Sequence, residues 1–271
     1  MIPKKIHYCW FGGKPLTPMA EKCIASWREK MPDYEIVEWN ESNFDLDSVP
    51  FAREAYDNKK WAFVSDVIRT YVLYRHGGVY FDTDIELLRK PCNIFDKGTV
   101  LGYENKWLLG AHVMASEPGH PIFKKLYEQY LNDKFVIDGK FNLKTIPNRL
   151  SEIVFDYLDK RHLPNKEYEF NEVHLYPKEY FTAQKTDYPA VTVHHFVGSW
   201  QSETRLTHFQ WTVLRVRLKL LNWSYAFKSN VSTIEKENKI WRWALKKTAE
   251  NDKKNKKIHF LKEILTFSVY I

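Results

Sequence analysis

Apolar positions along residues 2–200 recur with two periods, one of two residues and one of three to four, and the two alternate. Ile2 to Phe11 is a short apolar-rich run closed by Gly12 and Gly13, which predicts a first strand and a tight turn. Pro18 to Lys30 carries Met19, Cys23, Ile24 and Trp27 at helical spacing, and Tyr34 to Trp39 alternates as a second strand. Phe51 to Asn58 predicts a short helix. Trp61 to His76 is apolar on nearly every face except one seam, Ser65, Asp66, Arg69 and Thr70, whose spacing of three and four gathers them on one side of a buried helix. Gly77 and Gly78 stop it, and Val79 to Phe81 reads as a strand buried on both faces. Val100 to Tyr103 and Leu108 to Ala115 predict two further strands. Gly119, His120 and Pro121 open a helix reaching Tyr130, a second helix covers about Asn148 to Lys160, and VTVHHF, Val191 to Phe196, is a last strand. Strands alternating with helices define an α/β domain.

Chemistry enters at the end of the Val79–Phe81 strand, where the chain reads Asp82, Thr83, Asp84. Two aspartates at i and i+2 of an extended segment point the same way and suit one hard divalent cation. Placed after a buried strand they lie at a carboxyl edge, where open α/β sheets bind ligands, and uncompensated acid so near a core is costly. Asp66 and Arg69 are i and i+3, so an intrahelical ion pair competes with ligand contacts as the reading of these two residues. VYFDTDIE also has the look of a haloacid-dehalogenase phosphatase strand. There, however, the motif falls near the N-terminus and ends in Thr or Val, where this chain has Glu86.

SDVIRTYVLYRHGGVYFDTD, together with IHYCWFGG at the start and WNESNFD between, resembles the DXD-motif glycosyltransferases of family 32, the capsular polysaccharide type, over residues 2 to about 200. More distantly it is similar to the glucosylating domain of the large clostridial cytotoxins. The resemblance implies a GT-A fold, with a mixed central sheet flanked by helices, that holds a nucleotide sugar through Mn2+ or Mg2+. It implies that Trp10 stacks on a base, favouring a UDP-sugar, and that Asp66 and Arg69 hold donor hydroxyls, ribose or phosphate, with Tyr80 nearby. Where relatives place an asparagine, this chain reads Gly110, Ala111, His112, so His112 is a candidate sugar contact or a structural histidine. It implies Asp82, Asp84 and a strand histidine as metal ligands. The faces of VTVHHF alternate, so one of His194 and His195 reaches the site, and His195 is the expected ligand. Ser199 and Trp200 are expected to line the phosphates. The implied activity is retaining transfer of a hexose to a saccharide acceptor in bacterial surface polysaccharide synthesis. A catalytically silent sugar- or membrane-binding protein is the rival from another class, and retention of both aspartates speaks against it.

Composition changes the picture at one end. Of 41 Lys and Arg, 14 lie from Val213 onward against 5 Asp and Glu there, so the formal charge of +7 belongs to the tail and the body is slightly acidic. That argues against nucleic acid as a partner. WTVLRVRLKLLNW, WRWALKK and KKIHFLKEILTF have amphipathic helical spacing with basic polar sides, so residues 1–210 are expected as the catalytic domain and 211–271 as a basic helical appendage facing an anionic membrane or another subunit. Three cysteines, Cys9, Cys23 and Cys92, form no CxxC and no disulfide framework. With no signal-peptide pattern and no apolar run of about 18 residues, a cytoplasmic protein at the inner face of a bacterial plasma membrane, acting on a lipid-linked acceptor, is the expectation.

Overall fold

A computed structural model describes residues 1–91, 93–105, 108–159, 165–182 and 189–196. The expected Ser199, Trp200 and the appendage over 211–271 lie outside the described residues.

The strands and helices follow the hydrophobic pattern closely in the first half. They run β1 (Lys5–Cys9), α1 (Pro18–Lys30), β2 (Glu35–Trp39), α2 (Pro50–Asp57), α3 (Trp61–Arg75), β3 (Gly78–Phe81), β4 (Ile85–Leu87), β5 (Thr99–Tyr103), β6 (Leu109–Ser116) and α4 (Pro121–Leu131). Then come β7 (Val136–Ile137), β8 (Lys140–Phe141), α5 (Ile146–Tyr157), β9 (Tyr168–Phe170), β10 (Val173–Tyr176), α6 (Lys178–Phe181) and β11 (Thr192–His194). Thr17 caps α1 by accepting from the Ala20 N–H, and Gly77, at φ 62°, closes α3 in the left-handed conformation that glycine takes without strain.

Seven strands form a mixed sheet in the order β2-β1-β3-β6-β5-β10-β9. β1 is parallel to β2 and to β3, β6 is antiparallel to β3 and to β5, and β10 is parallel to β5. It follows that β1, β3, β5 and β10 all point one way, and their carboxyl ends share one edge of the sheet. The apolar side chains split into two clusters. One gathers α2, α3, α4 and α5 with Tyr80, Leu101 and Met114, and the other gathers α1 with Ile6, Val79, Phe81, Val100 and Val113. Neighbouring positions of the central strands fall in different clusters, as Val79 and Tyr80 do, so the sheet is covered on both faces. The expected mixed α/β architecture is therefore the observed one. β11 does not join the main sheet. It pairs antiparallel with β4 in a two-stranded ribbon, placing Val193 against Glu86 and His194 against Ile85.

Candidate active site

The carboxyl edge collects the chemistry. Trp10 follows β1, Asp82 follows β3, Glu104 follows β5, and the ribbon brings His194 and His195 to the turn between β3 and β4. That turn is the first correction to the sequence reading. Asp82, Thr83 and Asp84 are not extended: the strand ends at Phe81, and the Ile85 N–H donates to the Asp82 carbonyl at 3.0 Å, closing a turn. Side chains two apart in a turn lose the shared direction that a strand would give them, and the two carboxylates take separate partners.

Asp82 turns toward α3. The Arg69 guanidinium lies 3.2 Å from one of its carboxylate oxygens and 3.0 Å from the other, and the Tyr80 hydroxyl donates to it at 3.1 Å. The same guanidinium donates to the Ala111 carbonyl at 2.8 Å, lies 3.3 Å from Asp66, and stacks over the Tyr80 ring at 4.7 Å from its centroid. Asp66 and Arg69 are buried, so the polar seam of α3 is an ionic web inside the protein. The intrahelical pair and the site reading are thus both present, since Arg69 bridges Asp66 to Asp82. Thr70, in the same seam, satisfies its hydroxyl on the Val67 carbonyl of its own helix. Burial pushes the Asp66 carboxyl up to about 6, against the opposing pull of Arg69, Arg149 and the Ile146 N–H, which bonds to it from the first turn of α5. Burial also raises the Cys9 thiol to about 12, so this cysteine beside Arg69 and Tyr80 is no nucleophile near neutral pH.

Asp84 turns toward the ribbon. His194 Nε2 lies 3.4 Å from its carboxylate, and this is the second correction: the expected ligand, His195, is on the other face and bonds Glu86 at 2.8 Å. Alternation gave one histidine per face, and the register of β11 against β4 chooses which. The His195 main-chain N–H donates to the Asp84 carbonyl at 3.0 Å, so His195 fastens the turn through its backbone while its ring joins Glu86 and Lys22. His194 is sandwiched between His112, 4.5 Å away, and Phe196, 3.9 Å away, and its buried Nδ1 finds no partner among the described residues.

His112 resolves toward the structural side of its two readings. It is buried, its Nε2 faces the Thr182 hydroxyl at 3.0 Å, and that hydroxyl donates to the Tyr103 carbonyl, which leaves the imidazole as the donor. Burial drives its pKa down to about 3, so the ring is neutral. A Cβ at Gly110 would run into this ring, which accounts for the glycine. The His112 carbonyl accepts the Asp82 N–H at 3.0 Å, tying the turn to β6.

Trp10 is partly buried, with its indole N–H on the Lys14 carbonyl at 2.6 Å beside the Gly12–Gly13 turn. Gly12 has φ 95°, and a Cβ there would come within 2.9 Å of the Trp61 ring at the start of α3. His7, read as structural, is so: Nδ1 accepts from Trp39 at 3.0 Å, Nε2 donates to the Gly77 carbonyl at 2.9 Å, and burial lowers its pKa to about 4. Two contributors escaped the sequence reading. Glu104 is a carboxylate at the end of a strand parallel to β3, raised by burial and close enough to feel Asp82 and His194. Ile146 presents a helix N–H to Asp66. The first was findable from a buried strand ending in acid, the same signal that marked Asp82.

Among the described residues, no group of three or more His, Cys, Asp or Glu side chains gathers as a metal site. Asp84 and His194 nevertheless offer an oxygen and a nitrogen donor side by side, the carboxylate and Nε2 3.4 Å apart. This donor set fits a divalent cation whose remaining positions are filled by ligand oxygens.

Fold and site define a mixed α/β protein with an acid-rich carboxyl edge. Residues 18–105 match the model of a family described as a glycosyltransferase sugar-binding region containing a DXD motif, a stretch that includes α3 and both aspartates. The chain is 31% identical over 128 residues to inositol phosphoceramide mannosyltransferase 3 of Schizosaccharomyces pombe, covering 45% of this chain and 35% of that protein. It is 30% identical over 142 residues to the mannosyl phosphorylinositol ceramide synthase SUR1 of Saccharomyces cerevisiae, covering 46% and 34%. The chain thus spans about a third of the length of these relatives. Among solved structures, PaToxG glycosyltransferase aligns with TM-score 0.47 and 18% identity over 58% of this chain and 70% of that one.

Proposed function

We propose that the protein is a metal-dependent glycosyltransferase of GT-A type that moves a hexose from a nucleotide sugar to a lipid-borne acceptor. The observation that carries this reading is the Asp66–Arg69–Asp82 web lying next to the Asp84–His194 pair at one sheet edge, within the stretch that matches a DXD sugar-binding family. The names of two relatives support mannose as the sugar and a phosphoinositol ceramide type of lipid as the acceptor, in place of the capsular repeat expected from sequence. Trp10 supports a UDP-sugar, and mannosyl transfer supports GDP-mannose.

In this reading Asp84 and His194 hold Mn2+ or Mg2+, which when bound supplies positive charge against the leaving diphosphate. Arg69, anchored on both aspartates and on the Ala111 carbonyl, fixes the direction of Asp82. Asp66, ionised above about pH 6, accepts hydrogen bonds from donor hydroxyls while the α5 N–H holds it in place. Such fixed partners orient the anomeric carbon toward the acceptor hydroxyl. Anomeric retention and association of the appendage with an anionic membrane belong to the same proposal.

Thermal unfolding with UDP, UDP-hexoses, GDP and GDP-mannose, each with and without Mn2+, tests it. Stabilisation by one nucleotide series that requires the metal, and that is lost in both Asp84→Ala and His194→Ala, is the expected result. No metal-dependent shift with any of these ligands would overturn the reading, as would rapid hydrolysis of p-nitrophenyl phosphate by the wild type.

A further inference from the structure

His194 lies between two rings, and the outer one is held there by a strained backbone. The imidazole of His112, on β6 of the main sheet, covers one face, with ring centroids 4.5 Å apart and planes 27° apart. Phe196 covers the other face at 3.9 Å and 25°. The inner ring is firmly set. His112 Nε2 meets the Thr182 hydroxyl at 3.0 Å, and the ring packs so closely over Gly110 that a Cβ there would lie 2.3 Å from it. The outer ring is set by the chain. Residues two apart in an extended strand stand about 6.6 Å from one another, well beyond the contact seen here. β11 ends at His194, and Phe196 takes φ 49°, which folds its ring back over the imidazole.

A bulky residue seldom takes a left-handed φ, and such strain persists where the surroundings over-determine it, most often at functional sites. Burial of the ring is not what the turn gains, since Phe196 stays 46% exposed. What it secures is contact with the imidazole. That matters for a histidine, because rotation about its Cβ–Cγ bond is broad and rotamer preference alone does not fix the ring plane. Rings on both faces do fix it, and in this plane Nε2 lies 3.4 Å from the Asp84 carboxylate. The stack also joins the ribbon to the main sheet, since His112 belongs to β6 while His194 belongs to β11, which pairs with β4.

We propose that Phe196 is a positioning residue for the candidate metal pair: it presses His194 against His112 and so holds Nε2 toward Asp84, ready for a divalent cation. Partners that orient a ligating imidazole govern metal affinity although they do not touch the metal, and here the orienting partner is an aromatic face where a hydrogen-bond acceptor is the usual device. The proposal rests on the reading of Asp84 and His194 as cation ligands given above.

Mn2+ binding to the full chain, with UDP and with GDP, tests this. The free ion is counted by its electron paramagnetic resonance signal, and an imidazole nitrogen on the bound ion is read by electron spin echo modulation. Phe196→Leu keeps the bulk and loses the flat face. It should bind Mn2+ roughly tenfold more weakly than wild type, with a reduced nitrogen signal and an unchanged unfolding midpoint. Phe196→Gly, which takes the turn without strain but carries no ring, should weaken binding as much. Phe196→Tyr, which restores the flat face, should bind within about twofold of wild type. Wild-type affinity in both the Leu and the Gly variants, with binding lost in His194→Ala, would overturn the positioning role and leave the metal reading standing. Absence of Mn2+ binding by the wild type, or undiminished binding in His194→Ala, would overturn that reading and the proposal with it.

Discussion

Two charge clusters flank the DxD turn, and they differ in where the water is. On the α3 side, Arg69 joins Asp66, Asp82, the Ala111 carbonyl and the Tyr80 ring with only 7% of its side chain exposed. On the ribbon side, Glu86 joins Lys22 and His195, both at 2.8 Å, with Lys22 59% exposed. The partner chemistry is alike. What separates them is desolvation, which makes each buried charge depend on its neighbours and leaves each exposed one nearly independent. The buried cluster therefore sets the shape of the site, whereas the exposed one trims the ribbon that carries His194.

Breaking the buried cluster should give the largest effect. Arg69→Met removes the guanidinium that bridges Asp66 and Asp82, and loss of one partner from a buried ionic group typically costs about 3–5 kcal/mol. Urea unfolding at neutral pH should show that loss. Asp66→Asn/Arg69→Met, which removes a buried negative charge as well, should recover part of it. A loss under about 1 kcal/mol for Arg69→Met would show that water reaches this cluster and would erase the contrast.

Asp66 sharpens the comparison through pH. Its folded pKa of about 6 lies above the ordinary 3.8, so the native state holds a proton that the unfolded chain has released. Stability from this group is complete below about pH 4 and is lost as pH rises to about 6, by roughly 3 kcal/mol at 1.36 kcal/mol per unit. Buried His7 and His112, whose pKa values are lowered to about 4 and about 3, act in the opposite direction. The comparison that isolates Asp66 is therefore wild type minus Asp66→Asn across pH 4 to 7, and a flat difference would refute the assigned burial. Nucleotide-sugar affinity in the wild type should weaken below about pH 6, as the hydroxyl-accepting carboxylate is neutralised.

The buried cluster was legible in the sequence and the ribbon was not, for physical reasons. Trp61 to Phe81 announces itself because an all-apolar helix with one polar seam, ended by Gly77, has few other solutions. The ribbon depends on phase. Period two says that His194 and His195 face apart, but only the pairing of His194 with Ile85 decides which one meets Asp84, and that pairing spans more than a hundred residues. β4 itself was hidden because Ile85–Leu87 follows directly on the two aspartates. β9 and β10 were missed because their turn uses Asn171 and Glu172, at φ 44° and 64°, where the usual sequence signal is a glycine. The β7–β8 hairpin, by contrast, carries Asp138–Gly139, a signal that was there to be read.

The smallest expected effect lies in the exposed cluster. Burial pushes the Glu86 carboxyl up, but its bonds from Lys22 and His195 outweigh this and hold it below the ordinary 4.5. Its contribution is therefore present above pH 4.5 and lost as acid brings the pH down through the lower folded value. Glu86→Gln should cost under about 1 kcal/mol at neutral pH, the range of exposed ion pairs, and the cost should shrink in salt. His195→Gln should likewise leave Mn2+-dependent nucleotide binding within about twofold of wild type, because its backbone N–H still fastens the turn to the Asp84 carbonyl. His194→Ala, one residue earlier, should abolish that binding. If the two histidine variants changed it equally, the ribbon's register would no longer distinguish a ligand from a fastener, and the division drawn between the two clusters would fail.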